Sequence, residues 1–466
     1  MAFILSVLPV AVLVVALVAL KAPAWKAALV AFAVGAAEAL FWRGISFGEL
    51  VVCAEQGVYT GLFPIGLIVF AALFTYGVTE TSGAIADIKA GLSSLSSDRR
   101  FMALLVVWGF GNFMEGMAGF GTAVAIPCAI LVGVGFDPLK AVLCCLVANT
   151  TPTAFGSVGV PTSVLASEAG LDLRALTSTI VSLQIAVTAI LPFLVLVAAD
   201  GWRGLRECWK LALGASAAFL VPWVLSARFV GCELPDIVGG IVVMVIFAFL
   251  GKRGGTDIRR QTWAWMPFSI VVASLGAISF LPSAWKPAPG FTVLVAGIVG
   301  GLCQGIGPLR LFGVAAKTAK RYALAVFTIC TVLALAKTMV ASGLTQILAD
   351  GLVAATGRGY AAVSSIVGAL GGFVTGSGTS TNVLFGALQA SVGSSEAEKF
   401  LFASANVMGA GIGKMVCPQS IVLGCAAVGL AGRESEVMKR VFLYFVAVLV
   451  LACVVTCVFS VVATLR

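Results

Sequence analysis

The sequence contains no histidine in 466 residues, and only 11% of its residues are charged. Without histidine the chain lacks the commonest transition-metal ligand and the usual proton carrier near neutral pH, so any proton transfer must fall to a carboxylate. A soluble domain carries roughly 25% charged residues. Because 60% of the residues are hydrophobic, the chain cannot cover a surface in water, and we interpret it as a membrane protein.

Patterns of catalysis and of disulfide bonding are missing as well. The twelve cysteines stand mostly inside apolar runs and form no CxxC pair, which is typical of buried reduced thiols. The sequence has no HExxH, no GxSxG paired with a base and no cluster of aspartates. An intramembrane hydrolase or lipid transferase is therefore disfavoured, and we predict neither enzymatic activity nor a metal or cofactor.

Long apolar stretches follow one another along the chain, each near the 20 or so residues that a bilayer-crossing helix needs. Two segments, 138–167 and 400–431, are long enough to cross but are interrupted by Gly, Pro and polar residues. Two more, 101–135 and 360–392, are predicted to be re-entrant hairpins. The fold prediction is an all-α polytopic membrane protein with about twelve crossings and two hairpins. Ten uninterrupted spans are predicted at 2–20, 24–42, 61–79, 175–199, 208–226, 235–250, 262–281, 291–310, 322–348 and 440–464.

The distribution of positive charge supports this order of crossings and hairpins. The predicted crossings place twenty Lys and Arg residues on one face of the membrane and seven on the other, and they leave Lys337 and Lys414 within the membrane. By the positive-inside rule the twenty-residue face is cytoplasmic. We therefore expect a bacterial inner-membrane protein with both termini on the extracytoplasmic side. Topology explains the net charge of +9, and no nucleic-acid partner is predicted.

Parts of the first half of the chain recur in the second half at an offset of 257–260 residues. We predict a first repeat at 1–200, two linking spans at 201–260 and a second repeat at 261–466. The crossing count gives the repeats opposite orientations in the membrane, and interrupted helices between inverted repeats are where secondary transporters bind substrate. The matching pairs are Gly111–Gly116 with Gly371–Gly376, Ala148-Asn149 with Ala405-Asn406, and Ser82-Gly83 with Ser342-Gly343.

Two ionisable residues are expected at the centre of this arrangement. Glu115 is interpreted as the sole carboxylate near mid-membrane, where burial disfavours its charged form and would let it load and release a proton near neutral pH. It could instead pair with Lys414 or cap a half-helix. Lys414 could attract an anionic substrate directly or pair with Glu115. Lys337 could lie deep in its span or extend outward.

Polar residues and glycines at the four interruptions are the other candidates for substrate binding. Free N–H groups and the positive ends of half-helices attract a carboxylate, and glycine allows close approach of the backbone. The hydroxyls of the second hairpin tip could instead bond to their own backbone, and the two asparagines of the broken spans could instead hold freed carbonyls. The candidates are Gly116, Gly119, Asn149, Thr150, Thr151, Thr379, Ser380, Asn382, Asn406, Gln419 and Ser420.

Two stretches resemble the L-lactate permease family of bacterial 2-hydroxy-acid transporters. They read EGMAGFGTAVAI…FDPLKA…ANTTPTAFGSVGVP and TGSGTSTNVLFGALQ…GIGKMVCPQSIVLGCAAVGLAGRES. The resemblance implies proton-coupled uptake of lactate or glycolate, and kinship with often dimeric carriers of the ion-transporter superfamily that work by an elevator movement. The resemblance also places five residues at positions of the family's motifs, namely Glu115, Asn149, Asn382, Lys414 and Gln419.

One departure from the family concerns the second tip. Family members typically read GSDTSSN there, whereas this chain has Gly378 in place of the acid, which leaves Glu115 as the acidic candidate. The resulting hypothesis is proton-coupled symport of a small monocarboxylate, L-lactate or a related 2-hydroxy acid, by a homodimer. The alternatives are a sodium-coupled carboxylate carrier, with Asn149 and Asn406 holding the cation, and a channel.

Overall fold

The computed structural model describes residues 2–464 apart from 19, 21, 120, 252–256, 280, 282–284 and 286. Every regular element in this part of the chain is helical. This is the expected outcome for long apolar segments, since a helix satisfies its backbone hydrogen bonds within the segment. The predicted spans 2–20 and 262–281 each contain one residue outside the described part.

The first half of the chain, up to residue 251, forms twelve helices among the described residues. Helix α11 bends at Asp200–Gly201 and at Cys208, where the backbone leaves the helical region. The helices are α1 (Ala2–Val18), α2 (Ala24–Ala37, extended by a π-helical turn Glu38–Trp42), α3 (Phe47–Thr60), α4 (Leu67–Thr81), α5 (Ala84–Ser93), α6 (Arg99–Ala103), α7 (Gly111–Met117), α8 (Thr122–Gly133), α9 (Pro138–Ala148), α10 (Gly156–Ala169), α11 (Leu173–Phe229) and α12 (Pro235–Leu250). The π-helical segments Gly61–Gly66 and Leu104–Phe110 join α3 to α4 and α6 to α7.

The second half adds nine helices within the described residues. They are α13 (Ile258–Ser279), α14 (Pro289–Cys303), α15 (Pro308–Ala341), α16 (Leu344–Thr356), α17 (Tyr360–Thr375), α18 (Gly378–Val392), α19 (Glu396–Lys414), α20 (Pro418–Ala427) and α21 (Glu434–Thr464).

Six continuous helical segments among the described residues are long and apolar enough to cross a membrane. Helices α19 and α20, which meet at a bend of 43°, make a seventh if counted as one span. The chain is therefore a multi-pass membrane protein in composition and architecture. The count of twelve crossings stays a prediction.

Several predicted span boundaries are wrong. The span expected at 291–310 ends at Cys303, the one expected at 322–348 begins at Pro308, and the one expected at 440–464 begins at Glu434. The span expected at 61–79 begins earlier, since α3 and α4 form one helical segment from Phe47 to Thr81. The span expected at 322–348 ends at Ala341, because Gly343 adopts a left-handed φ of +72° and starts α16. Helices α5 and α16 were not predicted, because both are short and follow a span after only a two-residue turn.

Each of the four segments singled out as interrupted contains a helix break. Helices α7 and α8 are separated around Gly119 and Gly121, which have φ of +61° and +84°. Helices α17 and α18 are separated at Gly376, with φ of +65°. The other two breaks lie at 149–155, between α9 and α10, and at 415–417, between α19 and α20. In each case a backbone conformation that disfavours side chains, or a proline after the break, stops the helix.

The helices pack as two groups. One, the wall unit, consists of α1–α5 and α13–α16, and the other, the tip unit, consists of α6–α12 and α17–α21. Between the units the main contacts are α18 against α15 and α16, and α10 against α4. The tip unit contains all four helix breaks.

Helices α17 and α19 of the tip unit approach backbone to backbone through two matching glycine pairs. A Cβ atom on Gly368 or Gly372 would lie 2.3 Å from Asn406 O or 2.1 Å from Ala410 O. Reciprocally, a Cβ on Gly409 would lie 2.1 Å from Ser365 O, and one on Gly413 would lie 1.9 Å from Ala369 O. Small residues at intervals of four are the usual means of close packing between helices in membranes. These four glycines therefore serve helix packing.

A charged cluster fastens α6 to the turn within α11. Arg100 hydrogen-bonds to Glu207, and Arg203 Nε donates to Glu207 Oε1 at 2.9 Å. These hydrogen bonds, chiefly the one from Arg100, hold the pKa of the Glu207 carboxyl below its usual range.

Candidate functional site

A cavity of about 170 Å³ lies where the breaks of the tip unit face helices α2 and α15 of the wall unit. The wall side is formed by Ala24, Ala325, Thr328 and Ile329. The tip side is formed by Glu115, Gly121, Thr153, Gly156, Ser157, Pro161, Thr375, Gly376, Ser377, Gly378, Thr379, Ser380, Lys414, Gln419, Ser420 and Leu423. The cavity therefore brings together residues from all four interrupted segments.

An ion pair between Glu115 and Lys414 lies at the tip side of the cavity. Lys414 Nζ stands 2.5 Å from Glu115 Oε1, and the two side chains are 8% and 4% exposed. Lys414 is the last residue of α19, where the helix dipole favours a cation. The second carboxylate oxygen, Glu115 Oε2, is buried and has no hydrogen-bond partner among the described residues. The sequence left open whether Glu115 and Lys414 pair with each other or act separately, and in this structure they are paired.

Three helices begin at the cavity. Gly121 precedes α8, Gly378 and Thr379 open α18, and Gln419 and Ser420 lie in the first turn of α20. A helix start presents unpaired N–H groups and the positive end of the helix dipole. Together with Lys414 they give the cavity a positive character suited to a carboxylate.

Four hydroxyls at the break between α17 and α18, the second tip (residues 375–382), divide into two sets. Thr375 and Thr381 hydrogen-bond to backbone carbonyls and to each other, with Oγ1 atoms 3.1 Å apart. The hydroxyls of Thr379 and Ser380 line the cavity and hydrogen-bond to no other described residue. Thr375 and Thr381 thus bond to their own backbone, as one alternative predicted, and the hydroxyls of Thr379 and Ser380 are available to a ligand.

Residues Asn382 and Asn406 lie away from the cavity, in a buried amide network. Asn406 Nδ2 donates to Asn382 Oδ1 at 3.0 Å, and Asn382 Nδ2 donates to Pro161 O at 2.8 Å, inside the broken helix α10. Gln389 continues the network from Asn406 to Tyr360, with the Tyr360 hydroxyl 2.5 Å from Gln389 Oε1. Asn382 therefore holds a carbonyl of the broken helix α10, a role that the sequence analysis had considered for Asn149 and Asn406 and not for Asn382.

The remaining predicted residues are buried beside the cavity without lining it. The Asn149 amide has no hydrogen-bond partner among the described residues, and the Thr150 hydroxyl donates to Val147 O at 2.8 Å. The hydroxyl of Thr151 is 3.3 Å from that of Thr188. Gly116 packs against α12, and Gly119 faces Ser157. Six predicted residues line the cavity, namely Glu115, Thr379, Ser380, Lys414, Gln419 and Ser420.

Ser157, which sequence reasoning missed, joins two of the breaks. Its hydroxyl donates to Ala118 O at 2.9 Å, so the break between α7 and α8 is connected to α10. Ser157, Val158 and Gly159 all have positive φ, from +47° to +76°. A β-branched residue such as Val158 rarely adopts this conformation, and strain of this kind concentrates at functional sites. In the sequence, only the two glycines of the run Gly156–Gly159 indicate an unusual backbone conformation at Ser157.

Glu115 is not the only buried acid of the described residues, and its place as the sole carboxylate near mid-membrane stays a prediction. Asp236, in the first turn of α12, is 1% exposed. Glu168, in α10, has a side chain 3% exposed and lies 3.0 Å from Lys337 Nζ of α15. Both acids stand near the ends of their helices, which the sequence places close to the membrane surface. Lys337 is thus three-quarters buried and paired.

The pair of Glu168 and Lys337 connects the tip unit to the wall unit, and its removal is testable. Lys337→Met is expected to lower the free energy of unfolding by about 3 kcal/mol, because it leaves a buried carboxylate without its cation. Glu168→Gln together with Lys337→Met should recover most of that loss, which thermal unfolding in detergent would measure. Equal melting temperatures for the single and double variants would contradict this account.

Within the described residues no group of three or more Cys, Asp or Glu side chains is placed to hold a metal ion. The polar groups that line the cavity are one lysine, one carboxylate, one glutamine amide, hydroxyls and helix N-termini.

Comparison with known proteins identifies the family. The sequence model of the L-lactate permease family matches residues 2–282 and 269–463. The L-lactate permease of Streptococcus iniae is 34% identical, with 83% of this chain and 90% of the relative aligned. The L-lactate permease of Escherichia coli K12 is 31% identical, with 98% and 94% aligned. The glycolate permease GlcA of the same organism is 30% identical, with 93% and 91% aligned.

Among solved structures, the Alcanivorax borkumensis YdaH transporter aligns with 87% of this chain and 86% of its own at 16% identity, with a TM-score of 0.49. The family match extends over nearly the whole chain and includes all four helix breaks and the cavity that they line. The chain belongs to the L-lactate permease family.

Proposed function

We propose that this protein carries L-lactate or a related small 2-hydroxy monocarboxylate across the bacterial inner membrane together with a proton. Membership of a permease family supports transport, and relatives named for lactate and for glycolate support a small hydroxy acid. The observation that carries the proposal is the buried ion pair of Glu115 and Lys414 at a cavity lined by helix N-termini.

Charge balance provides the coupling. Burying an unpaired charge is costly, so the single Lys414 cation favours one carboxylate partner at a time. In the empty site that partner is Glu115. When the substrate carboxylate takes its place, Glu115 is left as a buried anion without a cation and binds a proton. Release of the substrate reverses both steps, so one proton travels with each carboxylate.

Recognition of the hydroxy acid rests on the second tip and on α20. The N-termini of α18 and α20 stabilise the substrate carboxylate beside Lys414. The free hydroxyls of Thr379 and Ser380 can accept a hydrogen bond from the substrate 2-hydroxyl or donate one to it. The side chain of Gln419 completes the polar surface. Asn382 and Asn406 act indirectly by fixing the helix breaks.

Alternating access would arise from movement of the tip unit against the wall unit, an elevator mechanism in a homodimer. The cavity lies between the two units, so such movement would carry it from one face to the other. The order of elements supports two repeats of opposite orientation. A long helical segment, a short helix, a broken pair and a second broken pair follow one another from α3 to α10 and again from α15 to α20.

Glu115→Gln tests the proton assignment. In proteoliposomes, lactate uptake driven by an inward pH gradient is expected to fall to the level of protein-free vesicles, because glutamine cannot bind the transported proton. Counterflow of labelled against unlabelled lactate needs no net proton movement, so it should persist. Glu396→Gln is the control, since it removes an exposed carboxylate outside the cavity.

Full-rate pH-driven uptake by Glu115→Gln would disprove the proton assignment. Uptake by the unmodified protein in a sodium gradient without a pH gradient would favour the sodium-coupled alternative, for which the unpartnered amide of Asn149 is the candidate ligand. Substrate-independent current without saturation would indicate a channel.

A further inference from the structure

Asp236 is a buried carboxylate that the exchange between Glu115 and the substrate does not use. Its side chain is 1% exposed. Oδ1 accepts a hydrogen bond from Trp223 Nε1 of α11 at 2.9 Å, whereas Oδ2 is buried and has no hydrogen-bond partner among the described residues. None of the ion pairs in the described part of the chain includes it.

This carboxylate adjoins the candidate site. Asp236 packs against α7 at Gly116, where an added Cβ would lie 3.0 Å from the Asp236 Cβ. Gly116 follows Glu115 directly, and Glu115 Oε2 is likewise a buried oxygen without a partner. Two unsatisfied carboxylate oxygens thus lie on neighbouring helices of one cluster.

The charged groups around Asp236 are few. Glu115 precedes Gly116, which packs on Asp236 from α7. Lys414 of α19 is the ion-pair partner of Glu115, and α11 contributes the indole of Trp223. The segment Leu104–Phe110, which also packs on α12, has no titratable side chain. In the preceding loop, Cys232 and Glu233 complete the set of titratable neighbours along the chain.

The charge count in this cluster is unbalanced. With Glu115 ionised and paired to Lys414, an ionised Asp236 would leave one uncompensated negative charge in a site closed to water. A protonated Asp236 leaves none, and its carbonyl oxygen still accepts the indole hydrogen bond. A protonated Asp236 is therefore the form that balances the charges of this cluster.

We propose that Asp236 is a second proton-carrying residue of the transport site, which passes its proton to Glu115 when the substrate takes Lys414. The inference rests on the proposed function, since it requires proton coupling. In the transfer the O–H bond at Asp236 Oδ2 breaks, an O–H bond forms at Glu115 Oε2, and the Asp236 anion is held by the indole N–H of Trp223. In the state open to the proton-rich face, a hydronium ion then gives a proton to Asp236 and leaves as water, which restores electrical balance.

The test is Asp236→Asn, whose amide has the shape of the protonated acid. Lactate uptake driven by a pH gradient is expected to fall by about tenfold or more, because a positioned proton carrier is lost. Counterflow should stay within about twofold of the unmodified protein. Asp236→Glu, which restores an acid, should recover part of the pH-driven uptake.

A second variant keeps the acid and changes its donor. Trp223→Phe removes the N–H that stabilises ionised Asp236, so the proton is released only at higher pH. The pH profile of net uptake should shift towards alkaline values, with counterflow unchanged. This measurement decides the question even if Asp236→Asn fails to fold.

The outcomes separate the two proposals. If the unmodified protein shows no pH-driven uptake, the proposed function fails. If it does, and Asp236→Asn and Trp223→Phe both behave like it, only the role of Asp236 is overturned. Equal loss of counterflow and pH-driven uptake in a folded Asp236→Asn would also overturn it, because that result assigns Asp236 to substrate binding or structure.

Discussion

Replacing Lys414 with methionine is expected to reduce lactate counterflow by a factor of roughly 30 to several thousand. Truncating one partner of a buried, hydrogen-bonded charge pair costs about 2–5 kcal/mol, and each 1.4 kcal/mol is a factor of ten. Because Lys414 is the cation that lines the described cavity, no other side chain there can replace its charge. Counterflow of labelled lactate in proteoliposomes, measured across lactate concentrations, would give the loss in apparent affinity.

Two comparisons separate binding from folding in this experiment. Lys399→Met removes an exposed lysine near the start of the same helix, α19, and should transport normally. Glu115→Gln combined with Lys414→Met removes both charges, so it should regain the stability that the single change loses and still fail to bind lactate. Normal counterflow by Lys414→Met would show that the pair with Glu115 is structural only.

The interruptions of the helices could be predicted because glycine, proline and polar residues are costly inside a membrane helix unless they have a role. Four such segments, two in each half, were identifiable, and each contains a break. The pairing of Glu115 with Lys414 was foreseeable as one option, since two opposite charges buried in one site favour contact. The sequence could not decide between that contact and an open site, because the outcome depends on whether a substrate is present.

The role of Asp236 could not be predicted from its surroundings in the sequence. It follows Pro235 at the start of an apolar run, where an aspartate ordinarily favours the helix dipole and faces water. Only the packing of α12 on α7 and α11 removes it from solvent. The same limit applies to Asn382 and Asn406, whose polar character indicated a site, whereas tertiary packing turns their amides towards each other.

The glycines of α19 show what spacing alone cannot assign. Gly409, Gly411 and Gly413 follow Asn406 and precede Lys414, and the sequence gives them no role. In the structure a Cβ on Gly411 would meet Thr150 O at 2.1 Å, and the other two face α17. A glycine in a helix indicates close approach of a neighbouring group, and the sequence does not say whether that group is a ligand or another helix.

Gly413→Ala is accordingly expected to prevent stable folding. The added Cβ would lie 1.9 Å from Ala369 O and 2.7 Å from Ala369 C, and these are backbone atoms of α17 that cannot rotate away. Relief requires α17 and α19 to separate, which would also displace the helix break at 415–417 and with it Lys414. Overpacking typically costs about 1–3 kcal/mol and more when backbone must move, against a total stability of about 5–15 kcal/mol. We expect little monodisperse protein in size-exclusion chromatography and a strongly lowered melting temperature.

The matched control is Gly214→Ala, in the exposed face of α11, where an added Cβ would meet no atom within 4 Å. Alanine favours a helix over glycine by about 1 kcal/mol, so this variant should melt at or above the temperature of the unmodified protein. Opposite effects of one identical substitution would assign the loss at Gly413 to the contact with α17. If Gly413→Ala instead folds and melts normally, the two helices do not meet backbone to backbone, and the position assigned here to Lys414 at the end of α19 would lose its support.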